Sequence, residues 1–123
     1  MTETLELTYE QALQGLKDVV ANKGPDFQYS DPENPISCKN FTESGQPSCI
    51  AGHAYYTYKP EWARDDKLMF TPVGTLVDEG NLDVDMKTQV LLMIAQNKQD
   101  RGVRWGKAVE TAQKVAERFG HLL

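Results

Sequence analysis

The stretch that organises this chain is residues 84–120, VDMKTQVLLMIAQNKQDRGVRWGKAVETAQKVAERFG. Apolar residues recur at three- and four-residue spacing in both of its halves, which is typical of amphipathic helices. Gly102 separates the halves, and glycine readily adopts the left-handed conformation that ends a helix. Because the link between the two helices is so short, they must run antiparallel. The stretch therefore predicts a helical hairpin.

We expect Asp83 or Asp85 to cap the first of these helices, which should end near Gln99. The second helix should begin near Arg104, and Gln99 or Asp100 should accept hydrogen bonds from its free N–H groups. The predicted core stripe of the first helix is Met86, Val90, Met93, Ile94 and Asn97, widened by Leu91 and Leu92. The predicted core stripe of the second helix is Trp105, Ala108, Ala112, Val115, Ala116 and Phe119.

Two further helices are predicted outside this hairpin. The segment LTYEQALQGLKDVVANKG carries a capping box formed by Thr8 and Gln11 and ends at Gly24. The segment TPVGTLVDEGN favours a short helix capped by Thr71 and ended by Gly80. Each helix has a start signal and a stop signal in the sequence.

The segment PSCIAGHAYYTY predicts a fifth helix that begins at Pro47 or Ser48 and ends before Pro60. It is preceded by a short strand pattern, ISCKNF, and by a turn, TESGQ, so a small strand or hairpin should lie before the Cys49 helix. The chain is thus expected to form a single domain over residues 1–123, mainly α, with about five helices.

Cys49 and His53 are the residues of this helix with the most reactive side chains. Four residues apart on a helix, they share one face, and a thiol in the first turn of a helix beside a histidine is a setting for a nucleophile. Cys38 supplies a second sulfur, but the three residues do not have a usual zinc-finger spacing. We favour instead a structural role for Cys49 as a small buried residue, with a metal site and a nucleophile as the alternatives. We predict no metal or cofactor and no catalytic residue.

Charge is distributed unevenly along the chain. The net charge is −5, yet the segment 98–118 has six basic and three acidic residues and so carries +3, leaving −8 elsewhere. An acidic body repels phosphate, so nucleic acid is not expected as a partner. We predict a protein-binding surface at Arg101, Arg104 and Lys107, with Tyr56 and Trp62 as aromatic anchors. No apolar run is long enough for a membrane helix and the N-terminus is acidic, which favours a cytoplasmic location.

The motifs PSCIAGHAYY and IAQNKQDRGVRWGKAVETA resemble those of a group of small uncharacterised proteins encoded by phages of actinobacteria, mycobacteriophages among them. Those proteins combine a PSCI-x-GH helix start with an AQ-x-x-QD-x-G-x-x-W helix turn, and the resemblance covers residues 27–116. It implies a phage gene product or prophage remnant in a bacterial cytoplasm. It carries no catalytic residue over to this chain.

The expected function is a non-enzymatic protein-interaction module that binds a host protein, a phage protein or a second copy of itself. One alternative is a thiol- or metal-centred protein that uses Cys38, Cys49 and His53. Another is a small-ligand or nucleotide binder that uses the aromatic segment 27–70, where eight aromatic side chains are concentrated.

Overall fold

The computed structural model describes residues 4–29 and 39–121. Its described residues are mainly helical, as predicted, and form five α-helices, two 3₁₀ turns and a pair of short strands. The helices are α1 (Tyr9–Lys23), α2 (Ile50–Tyr58), α3 (Val73–Asp78), α4 (Met86–Asp100) and α5 (Trp105–Gly120). The 3₁₀ turns are Pro60–Arg64 and Asp66–Leu68, and the strands are β1 (Leu5–Glu6) and β2 (Leu82–Asp83).

Local capping signals place the starts of α1 and α4. The Gln11 N–H donates to Thr8 Oγ1 over 3.1 Å and the Thr8 N–H donates to Gln11 Oε1 over 2.9 Å, so the predicted capping box is confirmed. Asp85, one of the two predicted caps of α4, accepts from the Thr88 N–H over 2.8 Å. Each cap satisfies a main-chain donor that the helix itself leaves unpaired.

The predicted cap of the short helix α3 is wrong. Pro72 is the residue before the first turn, and the Thr71 hydroxyl instead donates to the Lys67 carbonyl oxygen over 2.6 Å. Thr71 therefore closes the 3₁₀ turn that precedes α3. The Thr71 main-chain carbonyl oxygen accepts a hydrogen bond from Asn40.

The strands pair in parallel, with Leu5 opposite Leu82 and Glu6 opposite Asp83. Both leucines are buried, while both acidic residues are exposed. Sequence pattern did not predict this pairing, because two-residue strands are too short to show alternation. The hairpin expected before α2 is reduced to one antiparallel bridge between Phe41 and Pro47. Residues 36–38 of the predicted strand lie outside the described residues.

The α4–α5 hairpin has the predicted turn. Gly102 has a φ of 83°, and its N–H donates to the Gln99 carbonyl oxygen over 3.0 Å. In α5 the predicted stripe is buried at Trp105 and at its three alanines. Val115, however, is 39% exposed, and Phe119 is half-buried.

The predicted core stripe of α4 is wrong at Met86, Met93 and Asn97, whereas Leu91 and Leu92 are buried as predicted and Val90 and Ile94 are half-buried against the core. Met86 is 55% exposed, Met93 is 43% exposed, and Asn97 is exposed. The helix buries the opposite side, which consists of Thr88, Leu91, Leu92, Ala95, Gln96 and Gln99. Apolar residues occur around most of the circumference of α4, so their spacing alone does not choose a face. The buried side is the one that carries two glutamines with partners on α2.

Helix α2 lies at the centre of the packing. It contacts α1, α4 and the 3₁₀ turn Pro60–Arg64. Ile50, Ala54 and Tyr55 have no exposed surface. Because α2 is enclosed on several sides, its first turn is also buried, and the polar groups of that turn need partners inside the protein.

Candidate functional site

The first turn of α2 holds the cysteine singled out from the sequence. The helix begins at Ile50, and Cys49, rather than Pro47 or Ser48, is its N-cap. Cys49 Sγ accepts from the Gly52 N–H over 3.4 Å and donates to Asn40 Oδ1 over 3.2 Å. The side chain has no exposed surface. The thiol therefore acts as a buried cap, a role usually taken by an oxygen.

Asn40 fixes the chain around this thiol. Its Nδ2 donates to the Leu68 and Thr71 carbonyl oxygens, each over 2.7 Å. The main-chain carbonyl oxygen of Asn40 accepts a hydrogen bond from the Ser48 N–H over 2.9 Å. The same main-chain group lies directly against Gly52, where a Cβ atom would be 2.7 Å from the Asn40 carbonyl carbon. Asn40 thus joins three segments through a buried polar network, and only glycine fits opposite it.

Two glutamines of α4 complete the capping of α2. Gln99 Oε1 accepts from the Ile50 N–H over 2.7 Å, and Gln96 Oε1 accepts from the Ala51 N–H over 3.3 Å. Asp100 Oδ1 accepts from Gln99 Nε2 over 2.8 Å and from Gln96 Nε2 over 3.4 Å. Burial raises the pKa of Asp100, and the two amide hydrogen bonds act in the opposite direction. The expectation that Gln99 or Asp100 caps the last helix is therefore wrong, because both serve α2.

The N-terminus of α5 is capped by the main chain of the loop after α1. The Trp105 N–H donates to the Phe27 carbonyl oxygen over 2.8 Å and the Gly106 N–H donates to the Pro25 carbonyl oxygen over 2.9 Å. The Trp105 side chain is fully buried against the Phe27 ring, at a centroid distance of 4.6 Å. Since two of its leading donors are occupied, this helix end does not resemble an anion site.

His53 lies beside Cys49 as the helical spacing predicted, but it does not bind the thiol. His53 Nδ1 is 2.9 Å from the Cys49 carbonyl oxygen, so this nitrogen carries the proton when the bond forms. The His53 and Trp105 rings pack in a T-shaped arrangement, with their centroids 5.4 Å apart. Burial lowers the pKa of His53, the nearby Lys23 acts in the same direction, and the bond to Cys49 opposes them. The pair lacks the sulfur–imidazole contact of an activated thiol.

The described residues contain no group of three or more histidine, cysteine or carboxylate side chains able to hold a metal. Cys38, the second predicted sulfur, lies outside the residues that the structure describes. The geometry therefore brings together only Cys49 and His53, and it joins them through a main-chain oxygen.

The predicted aromatic anchors have different positions. Trp62 is only 2% exposed and packs against Tyr55 at 5.4 Å, so its predicted exposure is wrong. Tyr56 is half-buried and lines a groove of about 550 Å³ between the turn at residues 42–46 and the two 3₁₀ turns. The charged residues lining that groove are Glu43, Glu61, Arg64 and Asp66.

The predicted basic residues lie at the α4–α5 turn and on the first turn of α5. Arg101 and Arg104 are exposed, and neither is within ion-pair distance of a carboxylate of the described residues. Lys107 is also exposed, but its Nζ lies 3.7 Å from Glu110 Oε1. Two exposed arginines without an ion pair to a described carboxylate thus lie close together in residues 101–104, which we call the basic turn.

A stripe of apolar side chains leads along α4 toward the basic turn. Met86 and Met93 are exposed, and Val90 and Ile94 are half-buried beside them. We call these four residues the outer face of α4. All four were predicted as core. Val90 and Ile94 pack in part against the core, and the exposure of Met86 and Met93 gives the helix an apolar surface on its outside.

A second groove, of about 690 Å³, lies at the other end of α4. Lys87 projects into this region, but its Nζ sits 4.0 Å from the centre of the Tyr9 ring. Burial, with the neighbouring Glu117, raises the pKa of Tyr9 to about 12, so its hydroxyl stays neutral. The carboxylates lining the groove, which we call the acidic groove, are Glu6, Glu10, Asp83 and Asp85. Sequence reasoning missed it, because these residues come from two distant segments.

A scan of protein-family models, a search of curated proteins and a search of solved structures found no match to this chain. In the described part of the chain, none of the helices combines the length and the apolar character needed to span a bilayer.

Proposed function

We propose that this protein is a non-enzymatic interaction module that binds a host protein, a phage protein or a second copy of itself through the outer face of α4 and the basic turn. The observation that carries the proposal is that exposed Met93 and the unpaired Arg101 and Arg104 belong to one helical hairpin. Methionine and arginine are enriched at protein interfaces, where one supplies apolar area and the other charge-assisted hydrogen bonds.

The rigid support of this surface favours the same function. Gln96 and Gln99 tie α4 to the first turn of α2, and the carbonyl oxygens of Pro25 and Phe27 hold the start of α5. A surface whose elements are fixed in this way loses little conformational entropy when a partner binds.

The thiol-centred alternative has weaker support. Cys49 Sγ is buried and engaged with Asn40 and Gly52, and His53 is engaged with a main-chain oxygen. These contacts are those of a structural cap. A nucleophilic cysteine would instead need a sulfur that a substrate can reach and a base hydrogen-bonded to that sulfur.

The nucleotide-binding alternative is disfavoured by charge. The groove beside Tyr56 has three carboxylates, Glu43, Glu61 and Asp66, and one cation, Arg64. Such a lining repels the phosphates of a nucleotide.

The setting we propose is a bacterial cytoplasm in which a phage gene is expressed, with a host or phage protein as the partner. The support for this setting is the resemblance of the PSCIAGHAYY and IAQNKQDRGVRWGKAVETA motifs to those of actinobacteriophage proteins.

Affinity capture from a bacterial lysate tests the proposal. The parent is compared with the double variant Arg101→Glu/Arg104→Glu, and with Lys17→Glu/Arg64→Glu, which makes the same charge change at exposed sites elsewhere. We expect the first variant to lose the partner and the control to keep it, with weaker capture at 1 M salt, where the Debye length is about 3 Å. Identical captured proteins for all three would refute the proposed surface.

A further inference from the structure

We propose that the outer face of α4 binds the same face of a second copy of this chain, with the two α4 helices antiparallel. This inference rests on the proposed function and names the partner. It makes the assembly a two-fold symmetric dimer, in which each subunit contributes the same surface.

The spacing of the exposed residues along α4 suits a two-fold axis. Met86 and Asn97 lie at equal distances along α4 from the midpoint between Leu91 and Leu92, and so do Val90 and Met93. When two copies cross antiparallel at that middle, Val90 of each chain lies opposite Met93 of the other. The half-buried Val90 and the more exposed Met93 side chains then contact each other across the axis, and the contact removes both from water.

The charges at the two ends of α4 are complementary in the same arrangement. The acidic groove with Asp83 and Asp85 lies at the N-terminal end, while Lys98 and the basic turn with Arg101 lie at the C-terminal end. Asp85 and Lys98 are equidistant in sequence from the same midpoint between Leu91 and Leu92, and Asp83 and Arg101 are nearly so. Antiparallel pairing therefore places the basic turn of each copy at the acidic groove of the other, whereas parallel pairing would bring like charges together.

Within one subunit these opposite charges are separated by the whole of α4, a 15-residue helix that spans about 22 Å. They cannot neutralise each other inside the chain at that distance in salt solution, where the Debye length is about 10 Å at 0.1 M. A second copy brings them together, and this is why we favour self-association over an unrelated partner.

Sedimentation velocity over a range of protein concentrations tests the apolar contact. The parent should pass from monomer to dimer, and Met93→Gln should weaken the dimer by roughly tenfold or more. Phe70→Gln is the matched control, because Phe70 is 51% exposed but lies outside α4. A parent that remains monomeric at every concentration, or a dimer that Met93→Gln and Phe70→Gln affect equally, would overturn the inference.

Exchange of charge tests the antiparallel arrangement. Asp83→Arg and Arg101→Glu, each alone, should weaken self-association, because each places like charges at both ends of the dimer. Mixed in equal amounts, the two variants should form heterodimers as readily as the parent forms homodimers, because both ends are then complementary. Failure of the mixture to recover association would exclude this geometry.

Different results would contradict the self-association inference and the proposed interaction function. If the parent is monomeric while capture of another protein still depends on Arg101 and Arg104, the self-association inference falls and the interaction function stands. If the parent forms the predicted dimer but captures no other protein, the inference stands and a host or phage partner is excluded.

Discussion

Gln99 Oε1 accepts a hydrogen bond of 2.7 Å from the main-chain N–H of Ile50, so the last turn of α4 caps the first turn of α2. Asp100 holds the amide of Gln99 in this orientation through a bond of 2.8 Å to its Nε2. These two hydrogen bonds hold α4 in one rotation about its axis. In that rotation Met86 and Met93 face outward and Leu91 and Leu92 face the core.

We predict that Gln99→Leu lowers the free energy of unfolding by about 1–3 kcal/mol, because the buried Ile50 N–H loses its acceptor. Urea denaturation of the parent and the variant measures the difference. Gln14→Leu serves as the control, since Gln14 is exposed and its side chain bonds to Asp18 on its own helix. Equal free energies of unfolding for the two variants would show that the Gln99 cap on α2 does not contribute to stability.

Much of the fold could be predicted from local signals. The Thr8–Gln11 capping box, the Asp85 cap and the turn at Gly102 each depend on a few neighbouring residues, and all three are confirmed. The exposed face of α4 was missed, because choosing it requires knowing that Gln99 bonds to a residue 49 positions away. The β1–β2 pairing was missed because strands of two residues are too short to show alternation.

The candidate site was predicted in part. Helical spacing placed Cys49 and His53 together, but it did not show that His53 bonds to the carbonyl oxygen rather than to the sulfur. The basic residues Arg101, Arg104 and Lys107 are exposed as expected, whereas Trp62 was expected at the surface and is buried. Aromatic residues serve cores and interfaces equally well, so their presence alone does not distinguish the two.

The two adjacent residues Leu92 and Met93 test which side of α4 is core. Leu92 has no exposed surface, so Leu92→Ala should cost about 2–5 kcal/mol. Met93→Ala should change stability by no more than about 0.5 kcal/mol, when measured at a concentration where the protein is monomeric. Thermal or urea unfolding gives both values, and a reversed order would contradict the described packing.

Gly52→Ala should prevent stable folding or cost about 3 kcal/mol or more. A Cβ atom at residue 52 would lie 2.7 Å from the Asn40 carbonyl carbon and 2.9 Å from its Cα, and neither main chain is free to move. Gly74→Ala is the control, because its Cβ atom would meet only Met93 Cε at 3.9 Å. That change should be neutral or stabilise by up to about 1 kcal/mol through higher helix propensity. Circular dichroism with urea titration compares them, and a well-folded Gly52→Ala would disprove the close approach.

Cys49 should behave as a structural cap. In a Cys38→Ser background, a maleimide reagent should leave native Cys49 unmodified and react fully once urea unfolds the chain, because the thiol is buried. Cys49→Ser keeps an acceptor for the Gly52 N–H, so Cys49→Ala should be less stable than Cys49→Ser by about 1 kcal/mol. Rapid labelling of the folded protein at mildly acidic pH would indicate an activated thiolate and revive the nucleophile hypothesis.

His53 should make the fold sensitive to acid. Burial lowers its pKa from the usual 6.5, so protonation favours the unfolded chain, where the ring is solvated. The contribution of neutral His53 to stability is present above pH 6.5 and is lost as the pH falls through the lower pKa of the folded state. Urea titrations of the parent and His53→Gln between pH 8 and pH 5 should therefore show the parent losing stability relative to the variant as the pH decreases. His121→Gln, which changes an exposed histidine, should follow the parent. A constant difference between the parent and His53→Gln across this range would mean that the folded protein accommodates the charged ring as well as water does.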